Sequence, residues 1–158
     1  MNRPRPILIA SGAAILVAIL GGLASQPGAW YAGLNKSALT PPDWVFAPAW
    51  TLIYITCVIA AVNGWRAATT SSGRSGIIWL FAINGALNVL WSVLFFALQR
   101  PDWALIQVVT LWLSVAALIV YLRPRSGFAA WLMVPYLFWV SFAAYLNYQV
   151  VAMNPAFS

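Results

Sequence analysis

Four tryptophans, Trp50, Trp91, Trp112 and Trp139, fall well inside long apolar runs, too far from the ends to act as interfacial anchors. Two amides, Asn84 and Asn88, share that setting. On a helix, Asn84, Asn88, Trp91 and Phe95 recur at i, i+4, i+7 and i+11, which is one face. An amide in hydrocarbon must find a partner, so both asparagines are expected to face the protein interior. Each can bond a neighbouring helix or touch a ligand; the two roles balance for Asn84, and the ligand role is favoured for Asn88. The stretch VPYLFWVSFAAYLNYQ from Val134 puts Trp139, Phe142, Ala143 and Leu146 on one face of a further helix. Ala143 is small among large neighbours, which leaves room for a flat ligand or admits a closely packed helix. A dry aromatic cavity with few polar groups and no charge at its centre suits a large, flat, apolar molecule, not a sugar or an ion.

Other chemistries lack their residues. Histidine is absent, and the only carboxylates, Asp43 and Asp102, stand at helix starts where they read as caps. The single cysteine, Cys57, lies in an apolar run and has no intramolecular disulfide partner. Hydrolysis and group transfer are therefore not expected, and neither is a metal or a required cofactor. What remains is electron donation from an aromatic ring to a photoexcited ligand, for which Trp50 and Trp139 are the candidates.

The elements that position these residues are membrane spans. Of 158 residues, 63% are hydrophobic and 6% charged, against about 25% charged in soluble domains. The mean hydropathy is +0.86. The net charge of +6 is scattered in ones and twos, which argues against nucleic acid as a partner. Apolar runs over about 7–25, 44–65, 77–98, 103–122 and 128–150 are each long enough for a helix to cross a bilayer, which takes roughly 20 residues. The expected fold is an all-α bundle of five transmembrane helices forming one membrane domain. With about 1.5 Å of rise per residue, Trp50 lies roughly 9 Å from its helix end, Trp91 and Ala143 roughly 10 Å, and Asn88 and Trp139 roughly 15 Å. Three helices thus bring aromatics and an amide to similar depth. Pro135 is expected to kink the last helix by removing a hydrogen bond. Ala14, Ala18 and Gly22 form a small-residue stripe on the first helix, where another helix could approach closely.

Between the first two spans, Trp30 to Trp50 reads WYAGLNKSALTPPDWVFAPAW. Pro41 and Pro42 stiffen it, and its aromatic surface suits a lid over the cavity, with Trp30, Trp44 and Phe46 as further contacts. Arg3, Arg5, Arg66, Arg74, Arg123 and Arg125 fall on one side of the spans, Lys36 and Arg100 on the other. By the positive-inside rule the N-terminus is expected to be cytoplasmic and the lid to face outward; the charge pattern does not distinguish an inner from an outer membrane.

Together these residues resemble the TspO/MBR family of translocator proteins, tryptophan-rich sensory proteins and peripheral-type benzodiazepine receptors. The matching pieces are Trp30-Tyr31 with Leu34 and Lys36, PPDWVFAPAWTLIY from Pro41, ALNVLWSVLFF from Ala86, DWAL after Pro101, and PYLFWVSFAAYLN from Pro135. The resemblance implies a five-helix bundle, commonly a homodimer, that binds porphyrins such as protoporphyrin IX and benzodiazepine- or isoquinoline-type compounds. It also implies a role in tetrapyrrole or stress signalling, with light- and oxygen-dependent porphyrin breakdown and lipid or sterol carriage as alternatives. Carried over by position, the ligand contacts are Trp30, Trp44, Phe46, Trp50, Asn84, Asn88, Trp91, Trp139, Phe142, Ala143 and Leu146. Two features depart from the family pattern: Ser37, Ala38 and Leu39 follow Lys36, and no basic residue follows Tyr145 or Tyr148, so the cholesterol consensus of vertebrate members is missing.

Overall fold

The computed structural model describes residues 5–157, so Arg3, counted above in the charge asymmetry, lies outside the described residues. The main helices are α1 (Arg5–Ala24), the single turn α2 (Ala29–Ala32), α3 (Phe46–Ala67), α4 (Ser71–Ser92), α5 (Pro101–Leu122), α6 (Gly127–Leu132) and α7 (Val134–Met153). Five segments are long and apolar enough to cross a membrane: α1, Asp43–Ala67, Ser71–Ala97, α5, and α6 with α7 as Gly127–Met153. No strand occurs among the described residues.

Local chemistry explains where the helices begin and end. Thr70 caps α4 by accepting a bond from the Gly73 amide at 3.1 Å, so α4 starts at Ser71, ahead of the apolar run that begins at about residue 77. Ser126 caps α6 in the same way, accepting from Ala129 at 3.1 Å. Pro101 opens α5 at the first turn, where its missing amide hydrogen is no loss. Pro135 divides the last span: α6 ends at Leu132, Met133 forms a turn, and α7 begins at Val134. Asp43 departs from its expected role. Pro42 occupies the cap position of a short 3₁₀ turn at Asp43–Val45, and neither that turn nor α3 has a side-chain cap. A π-helical turn at Val93–Ala97, unforeseen in the sequence, ends the third span, closed by Leu98 N–H to Val93 at 2.8 Å and by Gln99 at φ 53°.

The spans close into a ring. α1 packs on α3 and α4, α4 on α5, α5 on α7, and α6 against both α3 and α5. The core lies where α3, α5 and the last span meet, with Ala60, Val115, Leu118, Leu122, Ala129 and Met133 fully buried. α1 is peripheral, with Gly21 its single buried residue. At Gly64 a Cβ would collide with the end of the buried Leu122 side chain, which reaches from α5 to the α3 backbone there. Gly64→Val is expected to destabilise the bundle by about 1–3 kcal/mol through overpacking. Thermal unfolding in detergent checks this; an unchanged midpoint would mean that the Leu122 side chain can move aside without loss.

Candidate functional site

Trp50 on α3 and Trp139 on α7 meet edge to face at 6.3 Å between ring centroids, and Phe46 packs on Trp139 at 5.8 Å. These are the two rings proposed as electron donors. On the opposite wall Trp91 stacks on Phe95 at 5.1 Å and stands edge-on to Phe96 at 6.1 Å. The π turn presents Phe95 and Phe96 together to Tyr31, at 6.3 and 5.5 Å. Between the walls lies a cavity of about 250 Å³ that α1 closes with Ala18, Gly21 and Gly22. Phe46, Trp50, Asn88, Trp91, Trp139 and Ala143, all foreseen, line it. Tyr31, Tyr54, Ser92 and Phe96 line it too and were not foreseen.

The other foreseen residues lie elsewhere. Trp30 packs edge-on against Phe95 and Phe157 and supports the wall from behind. Trp44 is 74% exposed at the start of its span, the position of an interfacial anchor. Phe142 touches Trp139 from behind at 6.1 Å, and Leu146 is half-buried away from the cavity lining. Asn84 donates to Ser114 on α5 at 2.8 Å, so its side chain bonds a neighbouring helix. Asp43 lines the mouth, which makes the cavity less free of charge than expected.

Asn88 marks the floor. Its amide donates to the Tyr136 hydroxyl at 3.1 Å, and its carbonyl accepts from the Tyr54 hydroxyl at 3.4 Å. Both of its polar ends are thus engaged across three helices, and it positions the tyrosines as much as it faces the cavity. Asn147 does similar work on the wall: it accepts from the Trp91 indole at 3.2 Å and donates to the Pro101 carbonyl at 2.8 Å. Sequence reasoning passed over Asn147, although an amide between Leu146 and Tyr148 in an apolar helix is the signal that singled out Asn88.

Above the cavity, the segment joining α1 to α3 contributes Pro27 and Tyr31. Lys36 donates to the carbonyls of Tyr31 and Leu34 at 2.6 and 3.3 Å and lies 4.5 Å from the Tyr31 ring centroid. One cation thus gathers two carbonyls, one in the last turn of α2 and one just beyond it. Burial first, and the negative charge of Asp43 second, push the Tyr31 phenol above its usual value. Asn35 and Asn154 exchange bonds at 3.0 and 2.9 Å, tying this segment to the end of α7.

The arrangement can hold a flat apolar molecule between indole faces and offers no described group suited to metal binding. A sequence profile of the TspO/MBR family matches residues 9–153. The chain belongs to the TspO/MBR family. It is 37% identical over 150 residues to the tryptophan-rich protein TspO of Archaeoglobus fulgidus, covering 93% of this chain and 96% of that one. It is 36% identical over 136 residues to protein CrtK of Rhodobacter capsulatus, covering 85% and 84%. It is 37% identical over 142 residues to the translocator protein of Sus scrofa, again covering 85% and 84%. With its five apolar helices, this TspO/MBR protein is an integral, multi-pass membrane protein.

Proposed function

We propose that the aromatic cavity makes this protein a membrane receptor or carrier for flat hydrophobic ligands. Porphyrins such as protoporphyrin IX come first, with benzodiazepine- and isoquinoline-type compounds alongside, in a role linked to tetrapyrrole or stress signalling. The carrying observation is the wall itself: Phe46, Trp50, Trp91, Phe96 and Trp139 surround a space left open by small residues, Ala143 on α7 and Ala18, Gly21 and Gly22 on α1. A macrocycle between these faces gains stacking and apolar burial together. The segment over the cavity acts as its lid. The arginine asymmetry supports a cytoplasmic N-terminus with the lid outward, and family membership supports a homodimer.

The test is a dark titration of tryptophan fluorescence with protoporphyrin IX in detergent. Wild type should quench saturably, and Ala143→Phe, which fills the cavity, should weaken binding about tenfold or more, equivalent to ~1.4 kcal/mol. Equal affinity in the variant would place the ligand elsewhere.

The contact between Trp50 and Trp139 favours one second reading, in which a tryptophan donates an electron to photoexcited porphyrin and oxygen completes its breakdown. Trp139→Phe should then slow light-dependent bleaching several-fold while binding in the dark persists. Bleaching at the wild-type rate would rule Trp139 out as the donor.

A further inference from the structure

A second, larger space lies on the opposite side of the Tyr54–Asn88 floor. It is a trough of about 530 Å³ between α1, α3 and α4, within the ~300–1,000 Å³ range of ligand sites. It shares Tyr54 and Asn88 with the aromatic cavity and is otherwise separate from it. Along α1 its lining runs from Arg5 to Val17, and along α3 from Trp65 back to Tyr54. At about 1.5 Å per residue each wall is roughly 16–18 Å long. Half of a ~30 Å hydrocarbon core is about 15 Å, so the trough matches the depth of one leaflet.

Its two ends differ in chemistry. At the closed end Asn84, Asn88 and Tyr136 have their polar atoms engaged by Ser114, by Tyr54 and by one another. Between the ends the lining is Ile9, Ala14, Val17, Val58 and similar side chains, so nothing but hydrocarbon is matched there. At the open end stand Arg5 and Trp65; just beyond the lining, the Arg74 guanidinium lies 4.6 Å from the centroid of a Trp65 ring and donates through Nε to the Ala68 carbonyl at 3.2 Å, which leaves its terminal nitrogens for an anion. The only ion pair among the described residues joins Arg100 and Asp102, so no carboxylate answers these cations. Ile9 and Ile78 line the trough yet remain 71% and 57% exposed, so it opens sideways toward the surrounding membrane.

An apolar slot one leaflet deep, open to the bilayer and ended by arginines that no carboxylate neutralises, has one complementary occupant. We propose that the trough is a binding site for one acyl chain of an anionic phospholipid, its phosphate held at Arg5 and Arg74. The site is distinct from the aromatic cavity and does not depend on what that cavity binds.

Native mass spectrometry tests this on the full chain in detergent, offered phosphatidylglycerol and phosphatidylcholine of equal chain length at equal concentration. Wild type should retain one phosphatidylglycerol in preference to phosphatidylcholine. Arg5→Gln should reduce that preference several-fold. Ala14→Phe, which fills the slot, should abolish retention, and Ile78→Trp, an exposed position that overhangs the mouth, should do the same if Ala14→Phe fails to fold. Thermal unfolding identifies which variants are folded. No preference in wild type, preference intact in Arg5→Gln, or retention surviving in a folded slot-filled variant would each overturn the proposal. So would saturable protoporphyrin quenching that is lost in Ile78→Trp, since the tetrapyrrole would then be the occupant.

Discussion

Replacing Asn147 by leucine is expected to destabilise the protein by about 1–3 kcal/mol, whereas Asn84→Leu should cost well under 1 kcal/mol. Both are buried amides that join helices, and an average polar contact between transmembrane helices is worth about 0.6 kcal/mol. What separates them is the state of the partners after the change. Asn84 bonds Ser114 at 2.8 Å, and Ser114 also donates to the Leu111 carbonyl at 2.7 Å, so it keeps a partner when the amide is gone. Asn147 is 1% exposed, and its loss strands the Trp91 indole N–H and removes the side-chain donor to the Pro101 carbonyl. An unsatisfied buried group costs about 1–3 kcal/mol, and here the indole N–H is that group, since the Pro101 carbonyl keeps its helical bond within α5. Because Trp91 forms a cavity wall, Asn147→Leu should also weaken ligand binding, even though Asn147 does not line the cavity. Thermal unfolding of both variants in the same detergent decides the matter; equal shifts would mean that the stranded indole finds another partner.

This pair also shows what the sequence could and could not reveal. Five spans were legible because hydropathy over twenty residues is a local sum that needs no partner. The break at Met133 was legible because proline acts on its own backbone. The cavity face was legible in part: Trp50, Trp91, Trp139 and Ala143 lie at depths set by helical rise alone, and they converge. Whether an asparagine bonds a helix or a ligand depends on what stands opposite, and spacing along one helix is silent about that. Asn84 and Asn88 have the same periodicity, yet one meets Ser114 and the other bridges Tyr54 and Tyr136. The π turn escaped detection for a related reason, since Val93–Ala97 has ordinary helix-forming composition. Phe96 was missed with it. The trough was invisible because its walls are ordinary apolar residues, and only their assembly leaves a gap.

Breaking the clasp between Asn35 and Asn154 is expected to speed ligand entry. A cavity of about 250 Å³ is too small for a tetrapyrrole, and ligand pockets usually exceed ~300 Å³, so the proposed function requires the segment joining α1 to α3 to lift as a lid. The lid is held by the Lys36 bonds within it, by the packing of Trp30 on Phe95 and Phe157, and by the asparagine pair. The asparagine pair is the part that ties the lid to another helix without forming the cavity. Asn154→Ala removes two of the three cross-links, leaving the Asn35 amide to the Met153 carbonyl at 3.3 Å, and each exposed bond contributes about 0.5–1 kcal/mol net. The opening equilibrium should then shift by ~1–2 kcal/mol, or about 5- to 30-fold. Stopped-flow quenching with protoporphyrin IX should show association and dissociation both faster, while the affinity changes less than either rate, because the bound ligand supplies its own contacts with the aromatic walls. Rates unchanged from wild type would show that ligand enters by another route, and the sideways opening between α1, α3 and α4 would be the next to block. A fall in affinity as large as the rise in dissociation would instead mean that Asn35 and Asn154 hold the ligand-bound form shut and do not set the rate of opening.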